Sequence, residues 1–273
     1  MTLAMPPDQL LRWYIEAGVD EAIGEQPLDR YALAKTTAAA PRAETARQPR
    51  RDAPAAAMPP RPTSAAMPPA PPPRATTAHL AMECKTLAAL KATMEAFDGC
   101  ALKQSCRSTV FADGNPEASV MLIGEAPGAD EDRIGLPFVG ASGKLLDRML
   151  ASIGLDRGSA YITNVVPWRP PGNRTPTPGE IELCLPFIQR HIELVDPQIV
   201  VLLGGAPAHA LLARNDAMYR LRGRWIDYAS SGLSRPIPAI ATYHPAYLLR
   251  TPAHKRETWL DLLAIRKRLD GRT

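Results

Sequence analysis

Residues 119–128 read Ser-Val-Met-Leu-Ile-Gly-Glu-Ala-Pro-Gly, a short apolar run typical of a buried strand that leads directly into a glycine- and proline-bounded turn. Three later runs have the same form, a β-like segment that ends in a polar or glycine-rich tag: Tyr161–Val166, Ile199–Leu203 and Ile237–Thr242. Ligands bind at the carboxyl ends of the strands in an open parallel sheet. The four tags can therefore line one crevice.

The spacing of these runs predicts the fold class. Their starts recur about every 38–42 residues, and helical patterns fit between them, as in alternating β and α units with a mostly parallel sheet. Thr177 and Glu180 form a capping-box pattern at the start of one helix, and Pro186 predicts a kink or break inside it. The other predicted helices cover about 84–97, 142–153, 207–213 and 252–269.

Composition divides the chain of 273 residues into three parts. Eleven of its 29 prolines fall between Pro41 and Pro73, so residues 36–79 are predicted to be a disordered linker rich in Pro and Ala. A short helical element is expected over 1–35, and the catalytic domain over 80–273. No apolar run is long enough to span a bilayer and no signal pattern opens the chain, which favours a cytoplasmic protein.

Charge and cysteine content are weaker indicators. The net charge of +4 is small, but arginines cluster in 41–75 and basic residues near the C-terminus. Concentrated basic surface suits a polyanion, although a solvated helix face explains the C-terminal cluster equally well. The four cysteines, Cys84, Cys100, Cys106 and Cys184, form no C-x-x-C pair, and reduced or buried thiols are the simplest interpretation.

The tags differ in their chemistry. Glycines at 124 and 128 let a backbone approach a ligand closely, but the pattern is neither a dinucleotide fingerprint nor a P-loop. Phe138, in a loop bounded by glycine and proline, either anchors the loop in the core or stacks on a planar base. Asn164 offers a donor and an acceptor, which suits a pyrimidine edge, or it bonds its own backbone. His244 ends a strand and precedes Pro245.

Five ordered motifs together resemble the uracil-DNA glycosylase superfamily, and within it most closely the family-four branch. They span 124–132, 135–140, 161–166, 169–174 and 244–250, and the resemblance covers about 97–268. It implies a three-layer αβα sandwich around a central four-stranded, mostly parallel sheet. It also implies a DNA repair enzyme that flips uracil out of double- or single-stranded DNA and hydrolyses its N-glycosidic bond.

The resemblance also implies roles for individual residues. Expected catalytic residues are Glu125, Asn164 and His244. Expected contacts to the base are Gly124, Ala126, Phe138, Asn164 and Asn173. Expected contacts to DNA are Arg169, Arg174, Tyr247, Leu248 and Arg250, with Tyr247 or Leu248 as an apolar wedge. Ala126 stands where another branch has a water-positioning aspartate, and the basic segment that a cross-linking branch uses is absent from 167–180.

A second departure concerns a cofactor. The resemblance to the family-four branch implies a four-iron cluster that is held by four cysteines. Here Cys100 and Cys184 match two of the ligand positions, whereas Phe97 and Trp168 occupy the other two. Two thiolates do not hold such a cluster, so neither a cluster nor any other metal is expected.

Several alternatives stay open at this point. One is a non-catalytic reader of uracil or damaged DNA, and another is a glycosylase that also accepts xanthine, hypoxanthine or etheno bases. A generic nucleotide hydrolase is weakened by the missing phosphate-cradling glycines. The protein is expected to be a nucleoid-associated monomer that does not bind membranes, with a possible repair partner at its N-terminal element.

Overall fold

The structure is a computed structural model that describes residues 73–271. The predicted element 1–35 and most of the predicted linker 36–79 lie outside these residues. The last seven residues of that linker are helical, because helix α1 covers Pro73–Glu83, and Thr77 is fully buried. Helix α1 thus places residues 73–79 in the described structure, on the N-terminal side of the predicted boundary at Leu80.

The described residues form a six-stranded sheet in the order β1-β3-β2-β4-β6-β5. The central four strands are parallel, as predicted, with register pairs such as Met121↔Tyr161 and Val200↔Ala239. Two antiparallel edge strands were not predicted, because one has only two residues, Asp113–Gly114, and Asp227 interrupts the short apolar run of the other, Trp225–Tyr228. The strands are β1 Asp113–Gly114, β2 Val120–Gly124, β3 Tyr161–Asn164, β4 Ile199–Leu203, β5 Trp225–Tyr228 and β6 Ile237–Thr242.

Helices cover both faces of this sheet, which confirms the three-layer αβα architecture. After α1 they are α2 Leu87–Ala96, α3 Ala101–Ser105, α4 Ala129–Ile134, α5 Ala141–Ala151, α6 Pro178–Val195, α7 Gly205–Leu212, α8 Met218–Leu221, α9 Pro245–Arg250 and α10 Lys255–Leu269. No helix within 73–271 is long and apolar enough to cross a membrane.

The alternation of side chains along each strand creates two cores. On β2, Met121 and Ile123 join a cluster with buried residues of α6 and α7. Val120 and Leu122 face the other side and pack with α5 and α10. Because both faces of the central strands are buried, these strands read as unbroken apolar runs in the sequence.

Helix α6 shows how local sequence sets an element's ends. The Thr177 hydroxyl accepts a hydrogen bond from the Glu180 N–H, and the Glu180 carboxylate accepts one from the Thr177 N–H, as the capping box predicts. The helix continues through Pro186 to Val195, so the alternative of a break there is wrong. Pro186 and its neighbour Phe187 are buried, and this packing compensates for the backbone hydrogen bond that a proline removes.

Candidate active site

A cavity of about 330 Å³ opens at the carboxyl edge of the central strands. The tags after β2, β3 and β6 meet there, together with the loop that carries Phe138. The structure thus brings side chains that are up to about 120 positions apart in the sequence around one space. The lining residues are Glu125, Ala126, Pro127, Gly128, Glu131, Phe138, Ser142, Asn164, Pro170, Asn173, Arg174, Thr175, His244, Ala246, Tyr247 and Arg250.

Gly124 lies beneath this cavity and does not line it. A Cβ atom at this position would come within 2.4 Å of the Asn164 Oδ1 atom and 2.6 Å of the Phe138 ring. Both separations are shorter than non-bonded atoms allow. Only glycine lets the Asn164 amide and the Phe138 ring approach each other at the end of β2.

Asn164 is 5% exposed, and its Oδ1 atom has no hydrogen-bond partner within the described residues. A buried polar atom without a partner costs about 1–3 kcal/mol. Asn164 also lines the cavity. The site therefore holds a fixed acceptor suited to a ligand N–H group.

His244 lies two residues after the end of β6 and caps α9. Its Nδ1 atom accepts a hydrogen bond from the Ala246 N–H at 3.1 Å, which leaves Nε2 as the protonated nitrogen of the neutral ring. Burial, aided by the positive charge of Arg250, lowers the pKa of His244 to about 4. The imidazole is consequently neutral at pH 7, with one N–H to donate.

Glu125 directly follows β2 and also lines the cavity. Burial raises the pKa of its carboxyl group, and a hydrogen bond from the Thr175 side chain partly opposes that rise. A half-buried carboxylate beside a cavity can hold and orient a water molecule. Ala126, the next residue, contributes only a methyl group.

Phe138 is held by a network on both sides of its backbone. Its φ of 55° lies in the left-handed region, which is unusual for an aromatic residue. The Glu131 carboxylate accepts hydrogen bonds from the N–H groups of Val139 and Gly140, both at 2.9 Å. The Arg157 guanidinium donates to the Phe138 carbonyl and, at 3.2 Å, to that of Pro137.

This network fixes where the Phe138 ring lies. The ring is buried in the wall of the cavity, and its centroid is 5.5 Å from that of the His244 ring. A Cβ atom at Gly143 would overlap the Phe138 carbonyl, so α5 also approaches this loop closely. Backbone strain that persists beside a cavity is typical of functional sites.

Three arginines were expected at the DNA contact. Arg169 is partly buried, does not line the cavity, and donates from Nε to the Asn173 Oδ1 atom at 2.7 Å. Arg174 lines the cavity, but Glu180 pairs with its guanidinium through two bonds of 2.7 and 2.8 Å. Arg250 is exposed at the rim. Two of the three arginines, Arg174 and Arg250, therefore lie at the cavity, and the charge of Arg174 is already partly neutralised.

The structure corrects the prediction for Leu248, which was expected to touch DNA. Leu248 is 1% exposed and packs in the core between the sheet and α5. It faces inward because α9 turns its apolar side toward that core. Tyr247 lines the cavity and packs against Tyr243 and His254, whereas Leu249 is 44% exposed beside Arg250.

The four positions that the cluster would need also lie close together. The Phe97 and Trp168 rings stack with centroids 6.1 Å apart, and both residues lie in one apolar cluster with Cys100 and Cys184. The Cys184 thiol hydrogen-bonds to Cys100, which lowers the pKa of Cys100 to about 7. Within residues 73–271, no group of three or more His, Cys, Asp or Glu side chains is arranged to hold a metal. These residues do not fit a four-cysteine cluster.

Some site residues were missed by the sequence reasoning. Glu131 lies within the first motif but was assigned no role, although its carboxylate accepts a hydrogen bond from the N–H of Gly128, the residue that precedes α4. Thr175 and Ser142 carried no distinguishing pattern. Arg157 lies outside all five motifs and reaches the site only through tertiary contact.

Comparisons with known proteins agree with this geometry. Residues 111–263 match the family model of the uracil DNA glycosylase superfamily. The chain is 42% identical over 170 residues to the Type-4 uracil-DNA glycosylase of Archaeoglobus fulgidus, a match that covers 61% of this chain and 84% of that protein. For the Type-4 enzyme of Pyrobaculum aerophilum the figures are 40% over 169 residues, 60% and 85%. The Type-5 uracil-DNA glycosylase of Thermus thermophilus is 33% identical over 178 residues, with 58% and 78% covered.

Proposed function

The chain belongs to the uracil-DNA glycosylase superfamily, and from this we propose that it hydrolyses the N-glycosidic bond of uracil in DNA and leaves an abasic site. The observation that carries the proposal is the buried Asn164 Oδ1 atom, which has no hydrogen-bond partner among residues 73–271 and lies at the cavity with the Phe138 ring and His244. A flipped uracil supplies what this site lacks, a planar ring with an N–H group at N3.

Recognition follows from these donors and acceptors. The base must leave the stack, at a cost of a few kcal/mol that is smaller at a mismatch. Asn164 accepts from the uracil N3–H and donates to O4, and Phe138 stacks on the ring. Cytosine has no hydrogen on N3 and carries an amine in place of O4. It therefore leaves the buried amide unpaired, which discriminates strongly against it.

Bond cleavage needs stabilisation of the departing base. As the bond breaks, negative charge grows on uracil O2, and the neutral His244 donates its Nε2–H there. Glu125 orients the water that attacks the sugar carbon, and its negative charge stabilises the positive charge that grows on the sugar. Ala126 does not orient the water, because its methyl group forms no hydrogen bond, and Glu125 performs this role instead. Gly124 keeps the amide and the ring in contact, and the Asn173 amide lies at the edge of the base site.

DNA contacts come from the rim of the cavity. Arg169, Arg174 and Arg250 bind phosphates, with Arg174 shared between Glu180 and the DNA. Tyr247 or the exposed Leu249 fills the gap left in the base stack, since Leu248 is buried. The protein acts as a monomer on chromosomal DNA in the cytoplasm, and its N-terminal element, residues 1–35, binds a repair partner.

We further propose that this protein works without an iron-sulfur cluster. All four of its cysteines lie in the described residues, and only Cys100 and Cys184 stand at the matching positions. The test is iron and labile sulfide determination on protein purified without chelator. Four irons per chain would overturn this part of the proposal. That result would not bear on the proposed glycosylase activity.

The function is tested with a labelled duplex containing one uracil, treated with alkali after incubation. Strand scission reports an abasic site, and the Asn164→Ala and His244→Ala variants are expected to lose most of it. The control is Arg235→Ala, which changes an exposed residue just before β6, at the amino-terminal edge of the sheet and away from the cavity. A gel shift without scission would replace the enzyme with a non-catalytic reader, and a panel with xanthine, hypoxanthine and etheno bases defines the substrate range.

A further inference from the structure

The segment from Arg214 to Arg224, which joins α7 to β5, is strongly basic. It reads Arg-Asn-Asp-Ala-Met-Tyr-Arg-Leu-Arg-Gly-Arg, with four arginines against one acidic residue, Asp216. It lies outside the five motifs and does not line the cavity. The proposed chemistry gives it no task.

This segment lies beside His244 at the carboxyl edge of the sheet. A Cβ atom at Gly204 would touch the His244 Cβ at 3.1 Å, and one at Gly205 would lie 3.7 Å from the Met218 Cγ. The His209 ring also bonds the Asp216 carbonyl at 2.9 Å. The glycine pair after β4 therefore contacts the catalytic histidine through Gly204 and the basic segment through Gly205.

The strand order places this segment on a different side of the cavity from the arginines already discussed. The loop from 169 to 174 follows β3, on one side of the sheet's centre, whereas the segment precedes β5 at the opposite edge. Basic groups consequently stand on both sides of the base site. A DNA strand that crosses the base site would contact the loop from 169 to 174 on one side and the basic segment on the other.

Two arginines of the segment are available for a ligand. Arg222 is not, because it bonds both carboxylate oxygens of Asp261 and anchors the segment to α10. Arg220 and Arg224 are exposed and make no ion pair among the described residues.

An exposed aromatic ring accompanies these charges. Tyr219 is 66% exposed, and the Arg220 guanidinium carbon lies 5.5 Å from the centre of its ring. An exposed ring with unpaired cations suits a nucleic acid, because bases stack on aromatic faces and phosphates bind guanidinium groups. Among the described residues, the other exposed large ring is Trp259, at 40% exposure, and it lines a mostly apolar pocket that also includes Arg148 and Lys255.

We propose that Tyr219, Arg220 and Arg224 form a second DNA contact, which binds nucleotides flanking the flipped base. The proposal rests on the glycosylase function, since it assigns a task within the same complex. Tyr219 stacks on an unpaired base or packs against a sugar, and the two arginines bind phosphates. The contact requires DNA that extends past the lesion on one side.

The test compares Tyr219→Ala, Arg220→Ala and Arg224→Ala with Arg235→Ala, which removes an exposed arginine at the amino-terminal edge of β6. Binding to fluorescent DNA is measured over a range of salt, and kcat and KM are measured on a long duplex. We expect Tyr219→Ala to weaken binding about tenfold. Each arginine variant should raise KM and lower the slope of log affinity against log salt by about one. Values of kcat and Tm should not change.

A duplex series then locates the contact. Uracil is moved stepwise toward each end, and the difference between wild type and Tyr219→Ala should vanish when one flank becomes too short. Equal affinity and equal salt slopes for all four variants would overturn the second contact. DNA binding is measured separately from uracil release. A wild-type protein that binds DNA but releases no uracil would therefore refute the glycosylase function, and the binding data would still show whether the second DNA contact exists.

Discussion

The protonation state of His244 gives the sharpest prediction for the chemistry. Its pKa of about 4 means that about one molecule in a thousand carries an imidazolium at pH 7. The Ala246 N–H occupies Nδ1, so the neutral ring donates only from Nε2. We expect the rate of uracil release to depend on this neutral donor.

The His244→Ala variant removes that donor. Loss of one such hydrogen bond costs about 10²–10³ in rate, or roughly 2.7–4 kcal/mol. His244→Gln keeps an N–H group near the same place and should recover part of the loss. Single-turnover release from a labelled duplex measures the chemical step without product dissociation.

The pH profile tests the reasoning independently. Wild-type release should be level from about pH 6 to 8 and should change only as pH falls toward 4, where His244 gains its proton. Burial also raises the pKa of Glu125, so the Glu125→Gln variant is measured alongside to separate the titration of the two groups. A rate that rises as pH falls through 7 to 6 would refute the reasoning, because it would require a cationic histidine.

Three further predictions follow from buried groups. Arg157→Gln should lower kcat by releasing the Phe138 backbone, and in a Phe138→Ala background it should cost little more, as a double-mutant cycle would show. His191 is buried with a pKa of about 3 and bonds the Tyr161 hydroxyl. The unfolded chain binds that proton below about pH 6.5 and the folded chain does not, so Tm should hold above pH 6.5 and fall steadily below it, less so in His191→Gln. Trp168→Ala should lower stability by about 3–5 kcal/mol in denaturant unfolding, because its ring is fully buried.

The central sheet was predictable because its signal is local. Strands buried on both faces appear as apolar runs, and their regular spacing indicates parallel connection. The edge strands β1 and β5 carry no such run; β1 has only two residues, and β5 is half exposed. Their pairing is decided by the neighbouring strands, which a single segment of sequence does not reveal.

The site was predictable where a residue sits directly on a strand end. Glu125, Asn164 and His244 each follow or end a strand, so the sheet's topology places them together. Leu248 was misjudged because the turn of a six-residue helix decides whether it or Leu249 faces the core. Arg157 was missed since its role depends on carbonyls about twenty positions away.

Trp168 connects the core to the proposed DNA surface. It immediately precedes Arg169, is fully buried against Phe97, and donates from its indole N–H to the Thr109 hydroxyl at 3.0 Å. The preceding carbonyl, that of Pro167, accepts from the Val110 N–H at 2.9 Å. The chain thus leaves the core at a fixed point before it enters the basic loop.

A metal ligand at this position would fix the chain through one coordinate bond, whereas a large buried ring fixes it through many weak contacts and one hydrogen bond. If no cluster is bound, as we propose, the packing of Trp168 depends on temperature and on the volume of its neighbours rather than on iron supply or redox state. The same reasoning explains why Phe97 accompanies it: a ring of similar size fills the space that a small side chain would leave empty, and an empty space would loosen the loop. In this protein the position of the Arg169–Arg174 loop is therefore set by the same apolar core that holds the sheet together.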